Sequence, residues 1–292
     1  MSKKSPIALV SDSCVDLPLS YTQYPFARIV PLNITFSDGT VIQDGVDISA
    51  AEFYRRMARA DALPVTSQPS PEQFLTVYQE LLNDYERIIS LHISSELSGT
   101  FNSATLAVQM LAEDEKKRVD LVDTKMVSLL EGFAFLAVAE AIEAGQSRDE
   151  IMSIIDRQLK SLTCFFLPDT LDNLRKGGRI SHIGALIGGF LQVKPVLSIG
   201  FKTDGKVGSY AKVRGKKKAV KLILDAIKAN ADNLSAQTIG LVHSFIDNES
   251  ELHALQEMVQ SELQPKKIIT SIVGATVGTH LGQNGFGIVY YE

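Results

Sequence analysis

Arg87-Ile-Ile-Ser-Leu-His-Ile-Ser-Ser-Glu-Leu-Ser-Gly-Thr100 decides the fold class. Residues 87–93 form a run of strand length with Ile88, Ile89, Leu91 and Ile93 as its apolar residues, which reads as a buried parallel strand. The hydroxyl- and glycine-rich end, Ser94–Thr100, then opens a helical pattern that runs to about Leu111. The same grammar recurs on either side. Ile7-Ala-Leu-Val10 is a buried strand that stops at Ser11-Asp-Ser13, and Val119-Asp-Leu-Val122 precedes Asp123-Thr124 and a helix to about Glu143. Arg28 to Phe36 reads as a further strand. Helices are expected over 49–59, with Ser49 as N-cap, and over 71–82, with Ser70 as N-cap and Pro71 at its first position. Strands alternating with helices predict an α/β protein whose N-terminal half is a parallel sheet.

Beyond Ala144-Gly-Gln-Ser147 the grain changes. Arg148 to Leu159 is helical, and six short strand candidates follow: 164–168, 193–199, 206–211, 238–243, 267–273 and 286–290. Helices at 214–231 and 249–261 lie among them. An α+β half with a mixed sheet is expected, the boundary falls near 145–160, and the chain divides into an N-terminal domain, 1–155, and a C-terminal domain, 156–292.

With 292 residues, 45% of them apolar and 22% charged, the chain has the composition of an ordinary globular protein. Twenty-nine Lys and Arg against 34 Asp and Glu leave a net charge of −5, which offers no general attraction to nucleic acid or to anionic lipid. The longest apolar stretches, near 127–142 and 183–199, are interrupted by Glu131 and Glu140 and by Gln192 and Lys194, so neither reaches the ~20 apolar residues of a spanning helix. The start of the chain lacks the apolar core of a signal peptide, and two distant cysteines, Cys14 and Cys164, suit a reducing compartment. A cytoplasmic protein without stable membrane insertion is the expectation.

No Walker or GxGxxG pattern supports nucleotide binding, and no HExxH or cysteine cluster supports a catalytic metal. What remains is a set of anion-binding features. Ser11-Asp-Ser13, Thr66-Ser-Gln-Pro-Ser70 and Ser94–Thr100 present hydroxyls and amides where chains turn into helices, which either cap those helices or hold a small anion. Gly99, between Ser98 and Thr100, permits close backbone approach. Val273 to Gly287 holds five glycines in fifteen residues and reads as a tightly turning loop with His280 at its centre, whereas His92 and His243 read as strand residues and His253 as solvated. Arg175-Lys-Gly-Gly-Arg179 reads as an exposed loop able to grip phosphate or carboxylate, and Lys212 to Lys221 as a basic helix start. Ser98 with His280 is also a formal nucleophile–base pair, which makes a hydrolase or acyltransferase the alternative, although no acidic orienter is evident.

Ser11-Asp-Ser-Cys-Val-Asp-Leu-Pro18, Thr66-Ser-Gln-Pro-Ser70, Leu97-Ser-Gly-Thr100, Val122-Asp-Thr-Lys-Met126, Leu174-Arg-Lys-Gly-Gly-Arg-Ile180, Val193-Lys-Pro-Val196, Val213-Arg-Gly-Lys-Lys217 and Val277-Gly-Thr-His280 together resemble the DegV family, in order and across essentially the whole chain. The resemblance implies a two-domain carrier, without autonomous catalysis, that buries one long-chain fatty acid between its domains and presents it to a fatty acid kinase as the acyl-carrying subunit. It implies no other cofactor. It further implies that Thr66, Ser98 and His280, with the Gly99 N–H, hold the carboxylate, and that Arg179 and Arg175 serve kinase docking or phosphate transfer. The tail cavity is expected to draw on Ile183 to Leu191, where Gly184, Gly188 and Gly189 leave room. Family members usually read His-x-Gly-Pro-Gly after the histidine; this chain has His280-Leu-Gly-Gln-Asn-Gly285, so a less rigid loop is expected there.

Overall fold

The computed structural model describes residues 5–180, 193–246 and 248–292. Its N-terminal sheet has four parallel strands in the order Ala27–Val30, Ser5–Asp12, Tyr85–His92 and Val119–Asp123. One face, with Ala8, Val10 and Ile88, packs on Phe74 and Tyr78 of helix Pro71–Asp84 and on Ala104 and Ala107 of helix Thr100–Met110. The other, with Ile7, Leu9, Ile89 and Leu91, packs on Phe135 and Val138 of helix Leu129–Glu143 and on Ile151 and Ile155 of helix Arg148–Ser161. Covering both faces is what makes the strand sequences continuously apolar.

The expected helix starts are present with their reasons. Ser49, Ser70 and Ser147 each accept the backbone N–H three residues on, and Ser70 and Ser147 complete capping boxes with Gln73 and Glu150. The expected single strand over Arg28 to Phe36 is corrected. Pro31 has no N–H to give a ladder, so pairing with the main sheet ends at Val30, and Asn33–Thr35 instead joins Val41–Gln43 and Val65–Ser67 in a separate three-stranded antiparallel sheet.

The C-terminal sheet is mixed, as expected. Its order is Gly208–Arg214, Val193–Gly200, Leu162–Leu167, Gly285–Tyr291, Thr238–Ser244 and Lys267–Ile272, with only the last pair parallel. Phe165, Leu167, Leu241 and Ile288 on one face bury against helices Lys216–Asn230 and Glu249–Leu263. Cys164, Ile199, Val242 and Val289 on the other face meet Leu129, Leu130 and Phe133. Helix Leu129–Glu143 therefore packs on both sheets, and eleven of its fifteen residues are buried. Such a helix shows no polar stripe, which explains the apolar stretch seen in the sequence. It touches the N-terminal segment closely: a Cβ at Gly132 would stand 2.5 Å from the Val15 carbonyl oxygen. Among the described residues no helix is long and apolar enough to cross a membrane.

Since one helix carries both cores, the two halves should unfold together. Phe133→Ala and Phe135→Ala face different sheets, and each is expected to cost about 3–5 kcal/mol in urea unfolding while leaving a single transition; two separated transitions, each moved by only one variant, would show independent halves.

Candidate functional site

The glycine-rich segment expected to be a loop contains a helix, Ala275–Leu281, and His280 lies in its last turn. This corrects the sequence reading, and the cause is remote. The Gly274 N–H is accepted by Asp16, and the Ala275 and Thr276 N–H groups by Asp44, so the helix start is satisfied by carboxylates more than 200 residues away. The segment after the helix is also firmer than the missing proline implied. Gln283 Nε2 donates to the Tyr54 carbonyl at 3.0 Å, and the Asn284 N–H to Ser244 O at 2.8 Å, so hydrogen bonds tie down what a proline ring would stiffen.

Thr66 lies within strand Val65–Ser67 rather than in a loop after one, and its Oγ1 stands 2.9 Å from His280 Nε2. His280 Nδ1 is buried and has no hydrogen-bond partner among the described residues. Gly177 packs over that nitrogen, where a Cβ would stand 2.1 Å away. Burial, with the Arg179 guanidinium adding to it, pushes His280 down to about 4, so the imidazole is neutral at pH 7 and has one N–H to donate.

Arg175-Lys-Gly-Gly-Arg179 is not the exposed loop expected. Helix Asp172–Lys176 takes its first half, and Arg179 turns inward. Arg179 Nε donates to Leu97 O at 3.1 Å and Nη1 to Gly177 O at 2.6 Å, bracing the segments beside Ser98 and His280. Arg175 is exposed, paired with Asp172 at 3.3 Å, and does not line the cavity. Ser98 Oγ lies 2.9 Å from Thr100 Oγ1 and accepts the Thr100 N–H at 3.3 Å. Gly99 caps helix Thr100–Met110, and the Gln68 side chain crosses it so closely that a Cβ would stand 2.8 Å from Gln68 Nε2.

These groups surround a cavity of about 110 Å³. Thr66, Gln68, Ser98, Arg179 and His280 supply much of its polar lining, while Ile93, Val127, Cys164, Phe166, Ile199 and Val242 supply much of the apolar wall. Gly287 leaves room in that wall, since its Cβ would stand 3.1–3.3 Å from Cys164 Sγ, Phe166 Cβ and Val242 Cγ1. Burial holds the Cys164 thiol up at about 12, so it is a neutral wall atom rather than a nucleophile. The expected contribution of Ile183 to Leu191 to the tail cavity lies outside the described residues.

An apolar chamber with hydroxyl, amide, imidazole and guanidinium groups in its lining suits an amphiphile with an anionic head. It does not suit nucleophilic catalysis by Ser98: among the described residues no hydrogen bond joins Ser98 to His280, and no carboxylate reaches His280 Nδ1. A Ser90–His92–Asp12 chain does occur, at 2.8 and 3.1 Å, but all three residues are wholly buried and Ser90 is also bonded to Tyr78. It ties two strand ends together. The sequence reading missed Gln68 and Gly177, both inside motifs it quoted, and Asp44, for which no local signal exists.

The chain was compared with known proteins. A family model described as an uncharacterised protein of the DegV family matches residues 6–292. A DegV domain-containing protein of Caldanaerobacter subterraneus subsp. tengcongensis is 34% identical over 286 residues, covering 98% of this chain and 99% of the relative. A structure of a DegV family protein from Thermus thermophilus, described by its fatty acid binding, is 35% identical with a TM-score of 0.88, covering 98% of this chain and 99% of that one. The structure of DegV from Bacillus subtilis, described as a fatty acid binding protein, is 28% identical with a TM-score of 0.85, covering 98% and 99%.

The depressed His280 sets a titration test. The folded chain refuses a proton that the unfolded chain takes near 6.5, so the contribution of His280 to stability is intact above about pH 6.5 and is lost as pH falls toward 4. In ¹⁵N NMR the His280 ring is expected to stay neutral down to about pH 5, and His280→Gln to remove its share of the pH dependence of unfolding; a ring that titrates near 6.5 contradicts the buried geometry.

Proposed function

This chain belongs to the DegV family, and from that premise we propose that it binds one long-chain fatty acid, with its carboxylate at the Thr66–His280 pair and its acyl chain along the apolar wall. The observation that carries the reading is the meeting of Thr66 Oγ1 and His280 Nε2 at 2.9 Å in the lining of a cavity otherwise rich in apolar groups. Thr66 and Ser98 donate through hydroxyls, Gly99 through its backbone N–H, and neutral His280 through one ring N–H. Arg179 supplies the positive charge that offsets burial of an anion, and its Nη2 makes no hydrogen bond among the described residues. Burying ~16 methylenes at about 0.8 kcal/mol each gives a gross gain on the order of 13 kcal/mol, enough for the lipid to survive purification after ordering costs.

The bound carboxylate is then presented to a fatty acid kinase. The chain has no nucleotide-binding motif, so the phosphoryl donor must arrive on a second protein. A carboxylate oxygen attacks the terminal phosphorus of that donor, the bond to the nucleoside diphosphate breaks, and an acyl phosphate results. Arg179, beside the head group, is placed to stabilise the transferring phosphoryl group, and Arg175, on the outside, to meet the partner. This reading makes the protein a cytoplasmic carrier feeding phospholipid metabolism, with residues 1–155 and 156–292 as the two domains that enclose the acid.

Mass spectrometry of an organic extract of the purified protein tests the reading directly: about one fatty acid per chain is expected, and none, with no uptake on feeding, defeats it. Ser98→Ala and His280→Ala should each lower retention about tenfold, and Arg179→Ala, which removes the offsetting charge, should lower both retention and phosphorylation by the kinase. Gly287→Ala narrows the wall, so uptake of the longest acids is expected to fall first, measured by competition between chain lengths.

A further inference from the structure

Helix Ala275–Leu281 is held at both ends by one small module of the fold. At its far end His280 Nε2 meets Thr66 Oγ1. At its near end Asp44 accepts the Ala275 and Thr276 N–H groups, both at 2.9 Å, and Asp16 Oδ1 accepts the Gly274 N–H at 2.8 Å. Asp44 directly follows strand Val41–Gln43, and Thr66 lies on strand Val65–Ser67; both strands flank Asn33–Thr35. Asp16 reaches further, because its Oδ2 accepts Ser128 Oγ at 2.5 Å and its carbonyl accepts Ser271 Oγ. Ser128 lines the cavity with φ 59° and ψ −147°, a conformation that belongs to glycine, and Asp16 itself has φ 43°.

We infer that Asp16 and Asp44 are positioning residues of the head-group site: by fixing where this helix begins, they set where His280 stands against Thr66. A helix of seven residues has no stability of its own, so its contacts alone place it. Ala275 and His280 are ~7.5 Å apart along the axis, less than two turns, and a displacement at the start passes rigidly to the imidazole. Sideways freedom is already taken up, since a Cβ at Gly278 would stand 2.3 Å from the Tyr54 hydroxyl oxygen. Along the axis the start is fixed by the two carboxylates, and the last turn is also tied by Asn173 Nδ2, which donates to the Thr279 carbonyl at 2.9 Å. Both carboxylates are buried, and burial pushes both carboxyls up, with the charge of Asp44 adding to it at Asp16, so the pair is held at a cost to stability. Side chains retained at such a cost are characteristic of sites that serve function.

The inference rests on the fatty-acid reading for one of its two readouts only. In Asp44→Asn one acceptor oxygen becomes an NH₂ group that faces the Ala275 or Thr276 N–H, donor against donor. Palmitate is expected to leave the loaded variant about tenfold faster, and the ring ¹⁵N signal of His280 in ligand-free protein to move, while the melting temperature holds or rises. Glu52→Gln, on an exposed neighbouring turn, should change neither. A His280 signal unmoved in folded Asp44→Asn overturns the inference, whatever palmitate does. A wild-type chain that takes up no palmitate overturns the proposed function instead, and the ring signal still decides this question. Should Asp44→Asn not fold, Ser128→Gly replaces it: glycine accepts the Ser128 backbone without strain and removes one hydrogen bond from Asp16, so a moved His280 signal supports the inference and an unmoved one overturns it.

Discussion

Everything in this molecule is arranged around helix Leu129–Glu143, which must be apolar on all sides because it packs against both sheets. The two sheets share this layer, and the cavity opens beside its first turn, where Val127 and Ser128 join the lining. The same turn carries Glu131, wholly buried, with one oxygen near Ser11 Oγ and the other unpartnered. Burial and the nearby Asp12 push its carboxyl well above the ordinary range.

Burial acts in opposite directions on the groups around the cavity. It lowers His280, raises Cys164, and raises Asp16 and Asp44. Together with Arg179, the result is a lining that holds neutral hydroxyl and imidazole donors and one cation, while the carboxylates stay behind it as acceptors for the helix start. An anionic head group therefore meets donors at the surface of the chamber and acceptors only in its supports.

Much of the fold was legible from local chemistry. The strand at 85–92 and its helix, the serine caps at 49, 70 and 147, and the mixed C-terminal sheet all follow from period, capping and apolar runs. Failures came where the deciding partner was distant. Nothing local to residues 273–287 announces a helix, because the groups that start it are Asp16 and Asp44. The inward turn of Arg179 depends on the Leu97 carbonyl, 82 residues away, beside the local carbonyl of Gly177. The three-stranded sheet went unseen because Pro31 divides one apolar run between two sheets.

The sequence by itself determined the α/β class and most of the helices and strands, and it carries hydroxyls at 66 and 98, a glycine amide at 99 and an imidazole at 280, which the family resemblance implies form one carboxylate site. The elements follow from propensity and periodicity, which act over a few residues. Only the tertiary structure decided that Thr66 and His280 touch across 214 residues, that the imidazole is neutral, and that Arg175 and Arg179 point to different sides of one turn. Those outcomes depend on desolvation and on hydrogen bonds between distant elements, and both exist only once the chain has closed on itself.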